Sequence, residues 1–301
     1  MKISLVGIEI NIHDESSCLN LNSFYSPFIS QEKKSKRTLT LTYNLIEKLP
    51  PLGKKSRLEF DALYWKLWVI DKIKVFDIYT GRKVKENIYR LYLKKNLEDI
   101  DIIIPENILT FQERYPSYFK GIDIPDPFIP FLGNILLSEI LPHFGGFLIH
   151  AACVEYRDGH ACIFVGPSRA GKTTLAKLWQ NRGFEILGDD IVGIRRGEEG
   201  NFYAYPVPWG DSLSNRRMNR RVKLNKIFFI SKSKDKRNKI EFISQKEAMN
   251  EMIRGSLLPY WDRKLTIIEL QLIHQILDII PSFRLVFYPD DSLLNLLKGF
   301  E

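Results

Sequence analysis

The segment GPSRAGKTT, residues 166–174, fits the pattern G-x-x-x-x-G-K-[ST] of a phosphate-binding loop. The apolar, β-prone run CIFV (residues 162–165) precedes it, and LAKLWQ (residues 175–180), which has helical character, follows it. In such a loop the backbone N–H groups surround the β-phosphate of a nucleotide, and the positive end of the helix dipole favours the negative charge. The pattern therefore predicts a nucleotide site at the junction of a strand and a helix.

Side chains of this segment have predicted chemical roles. Lys172 is expected to reach the β- and γ-phosphates of ATP, and the hydroxyl of Thr173 is expected to ligate Mg²⁺. A glycine-rich turn with an incidental lysine is the alternative explanation for the pattern. The other residues predicted to bind the nucleotide are Gly166, Pro167, Ser168, Arg169, Ala170, Gly171 and Thr174.

Two adjacent carboxylates, Asp189 and Asp190, follow the apolar run FEIL (residues 184–187), which predicts a short strand. The order strand, loop, helix, strand places them beside the loop, at the sheet edge where open α/β sheets bind ligands. Adjacent carboxylates repel unless a cation or a shared proton relieves them, and Mg²⁺ held by Thr173 and one aspartate would do so. The other aspartate would then accept the proton of an attacking hydroxyl. An ordinary polar turn is the competing explanation.

The elements that must position these residues divide the chain in two. Short β-branched and aromatic runs alternate with turn-like clusters over residues 1–125, which predicts a β-rich domain. Binding of a substrate or partner is one role considered for it, although the residues themselves indicate no chemistry. The proline-dense segment DIPDPFIP (residues 123–130) is the expected boundary. Residues 126–301 alternate strands and helices and carry the loop. The predicted fold class is therefore α+β or α/β, with the phosphate-binding loop in the second domain.

Downstream of the acidic pair, PWGDSLSNRRMNRRVK (residues 208–223) is predicted to be a basic loop. It is either a lid that brings arginine to the transferring phosphate or a solvated surface. The runs KIFFIS (residues 226–231) and KIEFIS (residues 239–244) flank a charged turn and predict a β-hairpin. The arginines of the loop are Arg216, Arg217, Arg220 and Arg221.

Composition indicates a globular protein, because 45% of the residues are hydrophobic and 27% are charged. The net charge of +8 mildly favours anionic partners, although a lysine-rich surface also serves solubility alone. No helicase-type motif accompanies the charge, so a nucleic-acid-dependent ATPase is the least favoured function. Three cysteines without the spacing of a zinc site suit a reducing compartment. Prolines and glycines interrupt the most apolar region, residues 128–154, so we expect a cytoplasmic protein without a membrane span.

Residues 147–195 resemble the catalytic domain of HPr kinase/phosphorylase and its relatives, which share a fold with ATP-dependent phosphoenolpyruvate carboxykinase. That domain has a strand bearing histidine, a hairpin, a loop G-x-S-G-x-G-K-[ST], a helix, and a strand ending in Asp-Asp. The resemblance is weaker outside this segment and covers roughly residues 128–245. The chain is also similar to HPr-kinase-related proteins that accompany peptide-modification systems. The residues in register are His150, Ser168, Lys172, Thr173, Asp189 and Asp190.

This resemblance implies a Mg²⁺- and ATP-dependent kinase that phosphorylates a hydroxyl, above all serine, of a peptide, protein or small molecule. Lys172 and the loop backbone would bind the phosphates, and Thr173 and Asp190 would hold Mg²⁺. Asp189 would be the general base, and His150 would lie near the γ-phosphate. Relatives often assemble as oligomers, so a homo-oligomer is one expectation.

The chain departs from the family pattern at Arg169, which replaces the usual second glycine of the loop. Glycine is favoured there when φ is positive or a ligand approaches closely. The acidic motif with which HPr kinase binds HPr downstream is not found, so HPr itself is not the favoured acceptor. The dicarboxylate-binding set of the carboxykinases cannot be assigned either. The alternative function is therefore an ATP-binding regulatory or assembly module with little catalysis.

Overall fold

A computed structural model of the chain divides into two compact units, Met1–Leu136 and Leu137–Glu301. Each unit contains one eight-stranded sheet. The predicted boundary, residues 123–130, lies mostly outside the described residues, so the predicted division at residue 125 stays a prediction. The structure describes residues 1–19, 23–30, 38–79, 86–108, 110, 126, 128, 130–157, 159–209 and 219–298.

The sheet of the first unit has the strand order β1-β2-β3-β8-β7-β6-β5-β4. Strand β3 illustrates why this sheet forms. Every second residue of the strand, Leu39, Leu41 and Tyr43, is buried, as expected when one face of a strand packs on the core. The predicted β structure of this region is confirmed. The strands are β1 (Lys2–Leu5), β2 (Ile8–Asp14), β3 (Thr38–Ile46), β4 (Arg57–Asp61), β5 (Trp65–Ile70), β6 (Ile73–Tyr79), β7 (Asn87–Leu93) and β8 (Asp99–Pro105).

The second sheet is built around five strands that close into a ring, since each of β9, β10, β12, β13 and β14 pairs with two others of the set. Strand β11 pairs with β9, and β16 and β15 extend the sheet from β14. The strands are β9 (Gly146–Arg157), β10 (His160–Val165), β11 (Glu185–Gly188), β12 (Ile191–Arg196), β13 (Phe202–Tyr205), β14 (Val222–Lys232), β15 (Lys239–Phe242) and β16 (Ser282–Phe287).

The predicted hairpin of β14 and β15 is wrong, because β16 lies between them. It pairs with β14 in parallel and with β15 antiparallel. Strand β16 buries Phe283, Leu285 and Phe287 in alternation. Between β14 and β15 the backbone of β16 pairs on both sides, whereas beside a β14–β15 hairpin it would be an edge strand with one side unpaired.

Helices cover both faces of the second sheet. Helices α3 and α4 pack on one face, where Met252 and Ile273 join the core. Helices α2 and α5 pack on the other, where Leu175 and Leu293 are buried. None of the described helices has the length and apolar character needed to cross a membrane. The helices are α1 (Pro130–Ile140), α2 (Lys172–Gln180), α3 (Gln245–Gly255), α4 (Arg263–Ile279) and α5 (Asp291–Lys298), with 3₁₀ turns at Ser23–Phe28 and Leu141–Phe144.

Candidate functional site

The glycine loop, residues 166–171, connects β10 directly to α2. Gly171 has a φ of 108°, and a Cβ there would lie 2.5 Å from Cζ of Phe287. At Gly166 a Cβ would lie 2.9 Å from Cγ1 of Ile230. Both positions therefore exclude a side chain, at Gly171 by backbone conformation as well as by space. The predicted arrangement of strand, loop and helix is confirmed.

The N-terminus of α2 offers backbone donors to a ligand. Gly171 is its N-cap and no side chain caps the helix, while the first intrahelical bond runs from Leu175 N to Gly171 O at 2.9 Å. The N–H groups of the first turn, including those of Lys172 and Thr173, thus have no partner within the helix. Donors of this kind, at the positive end of a helix dipole, fit a phosphate group.

Lys172 directly follows the loop in the chain, and its side chain reaches back to the residues at the start of the loop. Its side chain is almost buried, and Nζ donates hydrogen bonds to the carbonyl oxygens of Gly166 at 2.8 Å and Pro167 at 3.2 Å. Burial lowers the pKa of Lys172, and the charge of Asp190 opposes that shift. The ammonium group therefore lies over the start of the loop and within the electrostatic influence of the acidic pair.

Strand β9 brings the acidic pair to the same end of the sheet as the loop. Its residue Ala151 pairs with Val165, which leads into the loop, and Ala151 N donates to Asp190 O at 3.1 Å. The preceding residue, His150, has Nδ1 2.9 Å from Oδ1 of Asp190, within hydrogen-bonding distance. Asp190 has 43% of its side chain exposed, whereas Asp189 is only 3% exposed. The structure thus joins His150, Asp190 and the start of the loop.

A cavity of about 460 Å³ opens beside the start of the loop. His150, Gly166, Glu251, Arg254 and Arg284 are among the residues that line it. Glu251, Arg254 and Arg284 were not predicted from the sequence to belong to a site. A single charge inside the apolar run FRLVFY was a signal for Arg284, but nothing distinguishes Glu251 or Arg254 from other polar residues of an amphipathic helix.

The arginine-rich loop does not deliver its described arginines to this cavity. Arg220 forms ion pairs with Glu155 and Glu185, and Arg221 lies over the ring of Tyr203, 4.4 Å from its centroid. The chain then enters β14 beside the first residue of β10, roughly 17 Å along the strand from the loop. Of the two alternatives for the loop, these contacts do not support a lid formed by Arg220 or Arg221, and Arg216 and Arg217 lie outside the described residues.

The side chains of Thr173 and Asp190 carry donor types that Mg²⁺ accepts. Within the described ranges no three His, Cys, Asp or Glu side chains gather closely enough to hold a metal by themselves. Mg²⁺ needs no such cluster, because it commonly takes one or two carboxylates and completes its shell with phosphate and water. The predicted ligands Thr173 and Asp190 supply a hydroxyl and a carboxylate of the kind that this ion prefers.

Comparisons with known proteins give a partial match. Residues 134–276, which are 143 of the 301 residues, match the family model "ScmC: SynChlorMet cassette protein ScmC". No curated protein matches the chain. A solved structure titled "Structure of the Hpr(Ser) kinase/phosphatase from Coxiella burnetii" is 12% identical, with a TM-score of 0.25. That match covers 50% of this chain and 91% of the other. The chain is similar to these proteins over about half its length.

Proposed function

We propose that the protein is a Mg²⁺- and ATP-dependent kinase that transfers the γ-phosphate to the hydroxyl of a peptide, protein or small molecule. The observation that carries this proposal is the contact between His150 and Asp190. It lies one residue from the pairing of Ala151 with Val165, directly before the glycine loop. An imidazole, a carboxylate and a glycine loop at one end of the sheet suit phosphoryl transfer to a hydroxyl.

The residues of the loop bind the nucleotide in this proposal. The N–H groups of the first turn of α2 bind phosphate oxygens, and Lys172 exchanges its bonds to loop carbonyls for bonds to the β- and γ-phosphates. Thr173 holds Mg²⁺ together with a carboxylate of the acidic pair. Bound Mg²⁺ would neutralise charge that develops on the transferring phosphoryl group. His150 orients Asp190 and places a further donor at the cavity wall.

The two aspartates differ in burial, and this difference indicates which of them is the general base. A general base must contact the hydroxyl whose proton it accepts. Asp190 is the accessible carboxylate and contacts His150, while Asp189 is almost completely buried. Accessibility therefore favours Asp190 as the base, which leaves Asp189 as the carboxylate of the pair for the metal. This division is the reverse of the one that the family resemblance implies.

Labelled phosphate tests the proposal. The purified protein is incubated with Mg²⁺, ATP labelled at the γ-phosphate, and hydroxyl acceptors that include serine, serine peptides and HPr. We expect label to reach an acceptor, and Asp189→Asn and Asp190→Asn each to reduce the transfer about 100-fold or more. The exposed Asp235→Asn is the matched control and should leave transfer unchanged. Absence of transfer to every acceptor would contradict the proposal.

The same two variants separate the roles of the carboxylates. Loss of a metal ligand raises the Mg²⁺ concentration needed for half-maximal rate, so excess Mg²⁺ restores part of the activity. Loss of the base lowers the rate at every Mg²⁺ concentration and leaves nucleotide affinity largely intact. We expect the first behaviour from Asp189→Asn and the second from Asp190→Asn. The opposite result would restore the assignment implied by the family resemblance.

A second candidate function is an ATP-binding regulatory module with little catalysis. The observation in its favour is Arg169, which occupies a loop position with a φ of 66° where glycine is better suited. A loop that no longer has to support catalysis would tolerate such a residue. Tight binding of Mg²⁺ and ATP without transfer, in both the wild type and Arg169→Gly, would support this candidate.

A further inference from the structure

The cavity beside the glycine loop has a wall with two arginines, which phosphoryl transfer to a bare hydroxyl does not require. Arg254 and Arg284 line this wall, and each contacts a glutamate of α3. The volume of about 460 Å³ lies in the range of sites that accept a small molecule or a short stretch of peptide. The arginines of this wall therefore indicate which chemical group the acceptor has in addition to its hydroxyl.

Strand register places Arg284 on this wall. Val165 of β10 pairs with Phe229 of β14, and Phe229 pairs with Arg284 of β16, so the three residues form one row across the sheet. Residues of such a row point to the same face, and Val165 and Phe229 belong to the core that α3 and α4 cover. Arg284 thus projects from that face, about 10 Å or two strand spacings from the residue that precedes the loop. Its contact with Glu247 of α3, at 3.1 Å, agrees with this direction.

Arg254 reaches the wall from the last turn of α3. The next residue, Gly255, packs so closely on β10 that a Cβ there would lie 2.8 Å from Cγ1 of Val165. The end of α3 is therefore fixed against the row that contains Arg284. Arg254 contacts Glu251 at 3.0 Å, but 74% of its side chain is exposed. Exposed ion pairs of this kind contribute little free energy, so an anionic ligand can take the place of the glutamate.

We propose that the acceptor carries an anionic group, a carboxylate or a phosphate, which binds Arg254 and Arg284 while its hydroxyl lies beside His150 and Asp190. This inference rests on the proposed function and names its substrate class. The planar guanidinium group binds both kinds of anion through paired N–H donors, and two such groups at one wall fix the orientation of the acceptor. The anion would replace Glu251 and Glu247 as the partner of the arginines.

Binding of matched acceptors tests this inference independently of turnover. The full chain is saturated with Mg²⁺ and a non-hydrolysable ATP analogue and is then titrated by calorimetry. The probes are N-acetylserine against N-acetylserinamide, and glycerol 3-phosphate against glycerol, so each pair differs in its anionic group. We expect at least one charged probe to bind about tenfold more tightly than its neutral partner. The pair that shows the preference distinguishes carboxylate from phosphate.

Variants of the two arginines test whether these side chains cause the preference for the charged probe. Arg254→Gln and Arg284→Gln should each reduce the affinity for the charged probe about tenfold and leave the affinity for the ATP analogue unchanged. Arg263→Gln removes an exposed positive charge at the start of α4 and serves as the control for net charge. Circular dichroism spectra of the variants should match that of the wild type.

Three results would overturn the inference: equal binding of charged and neutral probes by the wild type, no binding of any probe, or a preference that survives both variants. Failure of the proposed function has a different signature. In that case the ATP analogue does not bind with Mg²⁺, or ATP transfers no phosphate to any acceptor, and both conclusions fall. If the analogue binds and transfer occurs without an anionic preference, only the inference about the acceptor falls.

Discussion

His150 Nδ1 lies 2.9 Å from Asp190 Oδ1 across the junction of β9 and the turn that precedes β12. Backbone pairing holds both residues in place, because Ala151 N donates to Asp190 O and Ile191 pairs with His150 in the sheet. The contact therefore does not depend on the side chains alone. It places an imidazole and a carboxylate beside the loop with part of each exposed to solvent.

The first prediction concerns this contact. His150→Ala should lower the kcat for phosphoryl transfer about 100-fold, because Asp190 loses the group that orients it, while the KM for ATP changes little. Steady-state kinetics at saturating Mg²⁺ provide the measurement. His274→Ala is the control, since His274 is exposed on α4 and contacts only Asp278 among the pairs described. A large rise in the KM for ATP without a fall in kcat would assign His150 to nucleotide binding instead.

The second prediction concerns Lys172. Lys172→Met should weaken the binding of Mg²⁺ and ATP about 10- to 100-fold, because a charged donor to the phosphates is lost. Isothermal titration calorimetry measures the affinity, and the thermal unfolding midpoint shows whether the fold is intact. The control is Lys177→Met, which removes an exposed ammonium group from the same helix. Equal affinities of the two variants would exclude Lys172 from the nucleotide site.

The third prediction concerns the backbone of the glycine loop. Arg169 has a φ of 66°, a conformation that costs a residue with a Cβ about 1 kcal/mol more than it costs glycine. Arg169→Gly should therefore raise the free energy of unfolding by about 1 kcal/mol or less, since glycine also gains entropy in the unfolded chain. Denaturant titration gives this value.

Lys236 provides a matched comparison for Arg169, because its φ is 59° and it lies in an exposed turn after β14, outside the glycine loop. Lys236→Gly should change stability by a similar amount and leave nucleotide affinity unaltered. A change of nucleotide affinity in Arg169→Gly alone would show that the arginine side chain acts on the nucleotide. Destabilisation by Arg169→Gly would contradict the argument from backbone conformation.

The fourth prediction concerns a buried carboxyl group on α4. Glu269 is 0% exposed, and neither of its carboxyl oxygens has a hydrogen-bond partner among the described residues. Burial raises the pKa of Glu269 from 4.5 to about 8. The folded protein therefore keeps the proton between these values while the unfolded chain releases it, so stability falls as pH rises from about 4.5 to about 8.

Glu269→Gln removes this titration while keeping the shape of the side chain. The gain in the free energy of unfolding over the wild type should grow with pH by up to about 1.4 kcal/mol per unit between pH 5 and 8, and then level off. Urea titrations at a series of pH values measure the difference. Glu198→Gln, at an exposed position, should show no such trend. A difference independent of pH would mean that Glu269 has an ordinary pKa in the folded protein.

The sequence alone located the glycine loop and the acidic pair, because both depend on short-range order. A strand, six loop residues and a helix follow each other directly from Cys162 to Gln180, and turn chemistry at Gly171 is decided by local backbone sterics. Most strands and helices of the second unit were predicted for the same reason, since hydrophobic periodicity is a local property.

Only the tertiary structure decided which distant residues join the loop. Arg284 is 118 positions beyond Gly166 in the chain, and it reaches the cavity through its register with Phe229 and Val165. That register depends on β16 lying between β14 and β15, which buries Phe283, Leu285 and Phe287. Strand pairing is selected by burial over the whole sheet, so a local pattern can indicate that a strand forms but not which strand it will contact.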